Sequence, residues 1–235
     1  MRRTLLAALA TTAMATMAHA GVVDLNFEGI NSTYPSGFAF INGFYDGGTS
    51  SDGTSGPNFG VTFSANAQAI CLNSLSVVCS NTSRGGLAPT SSKGGLFFLS
   101  GTSTTIDVAA GFTTGFSFNY TNPTGIAASV EVWSGLDGTG TELGSFNLST
   151  TPNGDTACPG YTAVFCPFEP IGVNFSGTGE SIVFGGVANE VVFDDVTFGS
   201  SSPGTVPEPA TWATMLTGLA AAGAMLRRRR APAAI

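Results

Sequence analysis

The chain has 235 residues, with fifteen carboxylates against eight cations, and six of those cations sit at its two ends as Arg2, Arg3, Arg227, Arg228, Arg229 and Arg230. Between residues 21 and 205 only Arg84 and Lys93 face fourteen carboxylates, a net charge of −12 that repels phosphate and excludes a nucleic-acid-binding role. The one histidine is His19, so a chain trimmed of its first twenty residues holds no Ser-His-Asp triad, no Cys-His dyad and no histidine-bound zinc.

Arg2-Arg3 opens the chain, residues 5–17 are apolar and small, and Ala18-His19-Ala20 has the A-x-A form that signal peptidase cuts after. Residues 1–20 therefore predict a signal peptide, with signal peptidase as the first processing partner and Gly21 as the first mature residue. The stretch that follows is long enough for one domain with a real core. Thirty of the chain's 32 glycines and all 18 phenylalanines lie in it and fit short strands and tight turns, and no segment of it sustains a helical period.

Strands are predicted in order over residues 22–27, with Val23, Leu25 and Phe27 on one face, and over 37–41, with Phe38 and Phe40 together. Others follow at 61–63, 96–99, 104–108 and 112–120, the last with Phe112, Phe116, Phe118 and Tyr120 on one side. Residues 129–133, 143–148, 171–175, 182–184 and 191–198 complete the set. Leu136-Asp137-Gly138-Thr139-Gly140 reads as a hairpin turn. Ten or eleven short strands imply an all-β fold over residues 21–199, an antiparallel two-sheet sandwich that is jelly-roll-like. Residues 45–58 and 151–170 are expected to be long surface loops, and 200–205 a Ser/Pro linker.

Cys71, Cys79, Cys158 and Cys166 fall in two pairs, each with seven residues between its members. Export favours disulfides, and the local pairing Cys71–Cys79 with Cys158–Cys166 is the first choice of three connectivities. The C-x2-C spacing of zinc sites is absent.

The end of the chain reads as a processing signal. Pro207 and Pro209 hold Glu208 in an extended segment suited to a protease. The apolar run 210–226 rises about 25 Å as a helix, enough to predict a transmembrane segment with Trp212 at one interface. Arg227, Arg228, Arg229 and Arg230 form a membrane stop on the cytoplasmic side. Val206-Pro207-Glu208-Pro209-Ala210-Thr211-Trp212, the apolar run and the arginine cluster together resemble the PEP-CTERM family of Gram-negative bacteria, with residues 206–235 as the sorting signal. The resemblance implies an exosortase as partner, cleavage near the PEP motif, an inner-membrane intermediate, and a destination at the cell surface, outer membrane or exopolysaccharide matrix.

Asn26-Phe27-Glu28-Gly29 and Phe193-Asp194-Asp195-Val196 resemble the first and last strands of carbohydrate-binding jelly rolls. That resemblance implies a structural calcium held by Glu28 with Asp194 or Asp195, carboxylates being suitable oxygen ligands. Glycan stacking is expected of solvent-facing aromatics, with Tyr34, Tyr45, Tyr161 and Trp133 as candidates. A secreted glycoside hydrolase would need two carboxylates across a cleft, and no motif singles out such a pair. The expectation is a non-enzymatic exported surface or matrix protein. A carbohydrate-binding module of the exopolysaccharide matrix is the second reading and a hydrolase the third.

Overall fold

The computed structural model describes residues 21–30, 38–71, 94–152, 165 and 167–204. Twelve strands occur among them: β1 (Val23–Leu25), β2 (Phe38–Phe40), β3 (Val61–Phe63), β4 (Ala67–Cys71), β5 (Gly94–Phe98) and β6 (Ser103–Phe112), then β7 (Gly115–Thr121), β8 (Ser129–Gly135), β9 (Thr139–Asn147), β10 (Glu169–Asn174), β11 (Gly179–Gly185) and β12 (Val192–Phe198). A seven-stranded sheet runs β10-β7-β12-β5-β4-β2, with β1 also on β12, and a five-stranded sheet runs β3-β6-β11-β8-β9. Every pairing is antiparallel. The chain crosses from one sheet to the other at most connections, which gives the jelly-roll-like sandwich that the strand count implies. The apolar run 210–226 lies outside the described residues.

The core forms where the inner faces meet. Phe116, Phe118, Phe184, Phe193 and Phe198 are at most 2 % exposed. They pack edge-to-face or tilted, with Phe184 and Phe193 centroids 4.7 Å apart, the geometry that ring quadrupoles favour. A second cluster lies on the outer face of the seven-stranded sheet, where Ile70, Phe97 and Val192 are covered by Phe165 and Phe168. The segment 151–170 is thus more than a surface loop. Its described aromatics cover apolar side chains that point away from the main core.

Three differences from the sequence reading have clear causes. Phe38 and Phe40 are 46 % and 42 % exposed, whereas Ala39 between them is buried. The register Ala39↔Ala69 on the edge strand β2 turns the small residue inward, because strand parity leaves only one choice once one residue is placed. The long strand 112–120 divides, with Phe112 ending β6 and Thr114 turning the chain at φ +75 before β7. β4 escapes the sequence reading because Ala-Gln-Ala-Ile-Cys carries little strand signal, although all five residues are buried.

The loop 45–58 is short of strands but tightly tied. Bridges join Asp46 to Asn58 and Thr49 to Ser55, and the Ser50 hydroxyl donates to the Ile30 carbonyl at 2.8 Å. Tyr45 belongs to the core, 3 % exposed. Its hydroxyl accepts the Phe27 N–H at 2.9 Å, and Phe27 needs that partner because it sits at φ +54, where its amide leaves the strand ladder. The Phe27 carbonyl in turn lies 2.1 Å from where a Cβ on Gly94 would stand, so only glycine fits there.

Replacing Tyr45 with Phe keeps the ring contacts and strands the Phe27 amide. The expected loss is about 1–3 kcal/mol of unfolding free energy, the cost of a buried unsatisfied donor. Urea titration of the mature domain measures it, and an unchanged midpoint would show that the Tyr45 hydroxyl holds nothing.

Candidate functional site

Two regions gather functional side chains: a polar seam where the terminal strands meet, and the outer face of the five-stranded sheet.

The seam follows from one irregularity in β12. Phe193, Val196 and Phe198 all face the core. Strict alternation would send Phe193 and Val196 to opposite faces, so an extra residue must sit between them. The register with β7 shifts between Asp194 and Thr197, and Asp195 takes φ +47. The bulge leaves both aspartates off the core face, and each is 0 % exposed. Asn119, opposite Asp194 in β7, donates from Nδ2 to Asp195 Oδ2 at 2.8 Å, and the Asp195 N–H donates to Asp194 Oδ1 at 2.7 Å. On the other side β1 brings Asp24 against Thr197. The Thr197 hydroxyl lies 2.9 Å from both Asp24 Oδ1 and the Asp195 carbonyl, its one proton serving either acceptor.

Two of these carboxylates feel each other. Burial, and then the negative charge of Asp195, push Asp24 up from 3.8 to about 6, with the Thr197 hydroxyl partly offsetting the rise. Glu28 does not join them as a third ligand: its Oε1 accepts the Gly94 N–H at 3.1 Å. Calcium takes six to eight oxygens. Among the described residues no three His, Cys, Asp or Glu side chains gather round one point. Asp194 and Asp195 thus meet in the seam, Glu28 holds the Gly94 amide, and the carboxylate that faces Asp195 across β1 is Asp24, which the sequence reading did not single out.

The chain leaving β12 folds back onto this seam. Gly199 turns at φ +83 and donates its N–H to the Gly115 carbonyl at 2.9 Å. Thr114 Oγ1 donates to the Gly199 carbonyl and Ser117 Oγ to the Ser200 carbonyl, each at 3.0 Å. The Gly204 N–H donates to Thr197 Oγ1 at 3.0 Å. Residues 200–204 of the expected linker are thus a docked stem. It runs so close to β10 that a Cβ on Gly172 would stand 2.1 Å from the Ser201 carbonyl. The mature N-terminus lies alongside, since a Cβ on Gly199 would be 3.6 Å from Val22 Cα.

The second region centres on Trp133. In β8 the core takes Val130 and Val132, so Ser129, Glu131 and Trp133 point outward and are half-buried. Trp133 pairs with Ser181 on one side and Glu142 on the other. A 3-10 turn over Leu136–Gly138 folds beside it. The Asp137 N–H there donates to Asp107 Oδ1 at 2.8 Å, and the Gly138 N–H to Ser181 Oγ at 2.9 Å. Burial raises Asp107 above the usual carboxylate range, the Asp137 amide opposing it. The indole N–H of Trp133 is buried with no hydrogen-bond partner. Of the other aromatics proposed for glycan stacking, Tyr45 is core, while Tyr34 and Tyr161 lie outside the described residues. The exposed rings that the sequence reading missed are Phe38, Phe40 and Phe59, the last stacked on Tyr45 at 6.1 Å. A depression of about 350 Å³ at Ala128, Leu148 and Gly186 holds no ionisable side chain.

Cys71 closes β4 fully buried and is not a free thiol. Cys79, Cys158 and Cys166 lie outside the described residues, as do the PEP motif and the arginine cluster.

The class defined so far is an all-β sandwich whose first and last strands lie side by side, ahead of an apolar sequence run that ends in four arginines. Residues 205–230 match the PEP-CTERM protein-sorting motif. The chain is therefore an exported protein sorted through a membrane-anchored intermediate. No curated protein matches it. Among solved structures, a family 6 carbohydrate-binding module is 20% identical, with 60% of this chain and 87% of that chain covered and a TM-score of 0.33. The K2 cleaved adhesin domain of Lys-gingipain is 12% identical, with 77% of this chain and 99% of that chain covered and a TM-score of 0.38.

The Asp24 shift fixes the sign of a pH effect. A folded-state value of about 6 against 3.8 means that the native state holds the proton more tightly. The stability this gives is fully present below 3.8 and is lost as pH rises through about 6. Asp24→Asn is expected to remove that dependence and to raise the melting temperature at pH 7. Melting curves from pH 4 to 8 decide it, and the same slope in both proteins would contradict the raised Asp24 value that burial and Asp195 produce.

Proposed function

We propose that this is a non-enzymatic surface or extracellular-matrix protein, held in the inner membrane by its tail until an exosortase cuts near Pro207-Glu208-Pro209. The observation that carries this is the sorting motif at residues 205–230, which begins immediately after the last described residue of the docked stem. The domain acts by display and binding. Asp24 and Asp195 lie in the seam between β1 and β12, where burial and the Asp195 charge raise Asp24. In the full chain expressed in its host, Glu208→Ala is expected to leave the tail uncut and the protein in the membrane. Release of that variant at the normal rate would sink the sorting assignment.

A second reading, a carbohydrate-binding module of the exopolysaccharide, is favoured by the Trp133 face. A half-buried indole with Glu131 two residues before it on the same face and Glu142 as its cross-strand neighbour offers a ring face for a sugar and carboxylate oxygens for its hydroxyls. The fold likeness to a carbohydrate-binding module is too distant to add weight. The strongly acidic domain disfavours anionic glycans, so neutral or amino sugars are the class expected. Affinity electrophoresis in the host's own polysaccharide should show retardation that Trp133→Ala abolishes without shifting the melting temperature. Equal mobility of the two proteins would count against this face.

A further inference from the structure

The stem raises a question that the sorting motif alone does not. Pro207 follows Gly204 by three residues, and three residues of chain reach at most about 10 Å beyond a docked Gly204. Measured from Phe198, where β12 ends, the same chain released would reach about 30 Å. A peptide read through its main chain is read extended. The docked stem is not extended: Gly199 and Gly204 both hold positive φ, at +83 and +64. Its carbonyls and amides are already spent on Thr114, Gly115, Ser117 and Thr197.

We infer that Thr197, Ser117 and Thr114 are positioning residues for the sorting reaction, holding residues 199–204 against the domain so that the chain upstream of Pro207 is withheld from extended binding until the stem lifts. This rests on the reading that an exosortase cuts near the PEP motif. Thr197 is the key residue because its one hydroxyl accepts the Gly204 N–H and donates into the Asp24–Asp195 seam. The last hold on the stem is thereby tied to the joint between the first and last strands. The Ser117 and Thr197 hydroxyls that hold Ser200 and Gly204 are not part of the strand ladder, so these two bonds can open while the ladder stays formed.

Pulse–chase of the full chain in its host, following loss of the tail by mass, provides the test. Loss of one hydrogen bond shifts the docked-to-lifted ratio by about fivefold. Thr197→Val and, separately, Ser117→Ala are therefore expected to be processed several times faster than wild type. Thr197→Ser, which keeps the hydroxyl, returns the rate to wild type. Ten Gly/Ser residues inserted after Gly204 leave every stem contact intact; they should speed processing as much and cancel any further effect of Thr197→Val. Hydrogen exchange gives a readout independent of the protease: the Gly204 amide is protected in wild type and in Thr197→Ser, and loses protection in Thr197→Val. A Thr197→Val chain with an unprotected Gly204 that is nonetheless cut at the wild-type rate overturns the inference, as does an insertion without effect. Continued cleavage of Glu208→Ala would instead sink the sorting reading and leave the docking result standing.

Discussion

The structure depends on β12. All seven of its residues are buried, and it pairs with β1, β5 and β7. On one face Phe193, Val196 and Phe198 fill the core against β7 and β11. On the other, the bulge at Asp195 turns two carboxylates into a seam that only hydrogen bonds make tolerable, since a buried charge without partners costs far more than the strand could return. Asn119 donates to the Asp195 carboxylate and the Asp195 amide to that of Asp194, while the Thr197 hydroxyl serves Asp24 and the Asp195 carbonyl. A strand that carries both the core and a buried polar joint ties the stability of the domain to the fit of its first strand, because Asp24 on β1 completes the joint.

That joint also sets the geometry of export. The first strand and the last lie side by side, so the mature N-terminus and the stem leave from one place. The Trp133 face belongs to the other sheet, so its use in binding does not depend on the seam.

Much of the fold was legible in the sequence because it rested on period-two patterns with large residues. The core face of β7 and the turn at Asp137-Gly138 followed from phenylalanine and glycine placement. What failed did so where neighbours, not intrinsic preference, decide. β4 is a strand because β2 and β5 flank it, although its alanines and glutamine give no signal. Phe38 and Phe40 face outward because an edge register put Ala39 inside. The bulge that places both Asp194 and Asp195 off the core has no sequence signal, and Asp24 was invisible as their neighbour because the β1–β12 register is a tertiary fact. The stem looked like a free linker because Ser, Pro and Gly are linker residues, yet the same small residues let it lie flat on Gly115 and Gly172.

The central claim is that the domain is made to be delivered: folded with its two ends together, tethered, and then cut free at its tail. The intact mass of the protein recovered from each cell fraction of its host tests this most directly. The account predicts a species that starts at Gly21, ends near Pro207-Glu208-Pro209 and lies outside the inner membrane. A protein that retains Arg227 to Arg230 and remains in the inner membrane at steady state would contradict it and make the tail a permanent anchor.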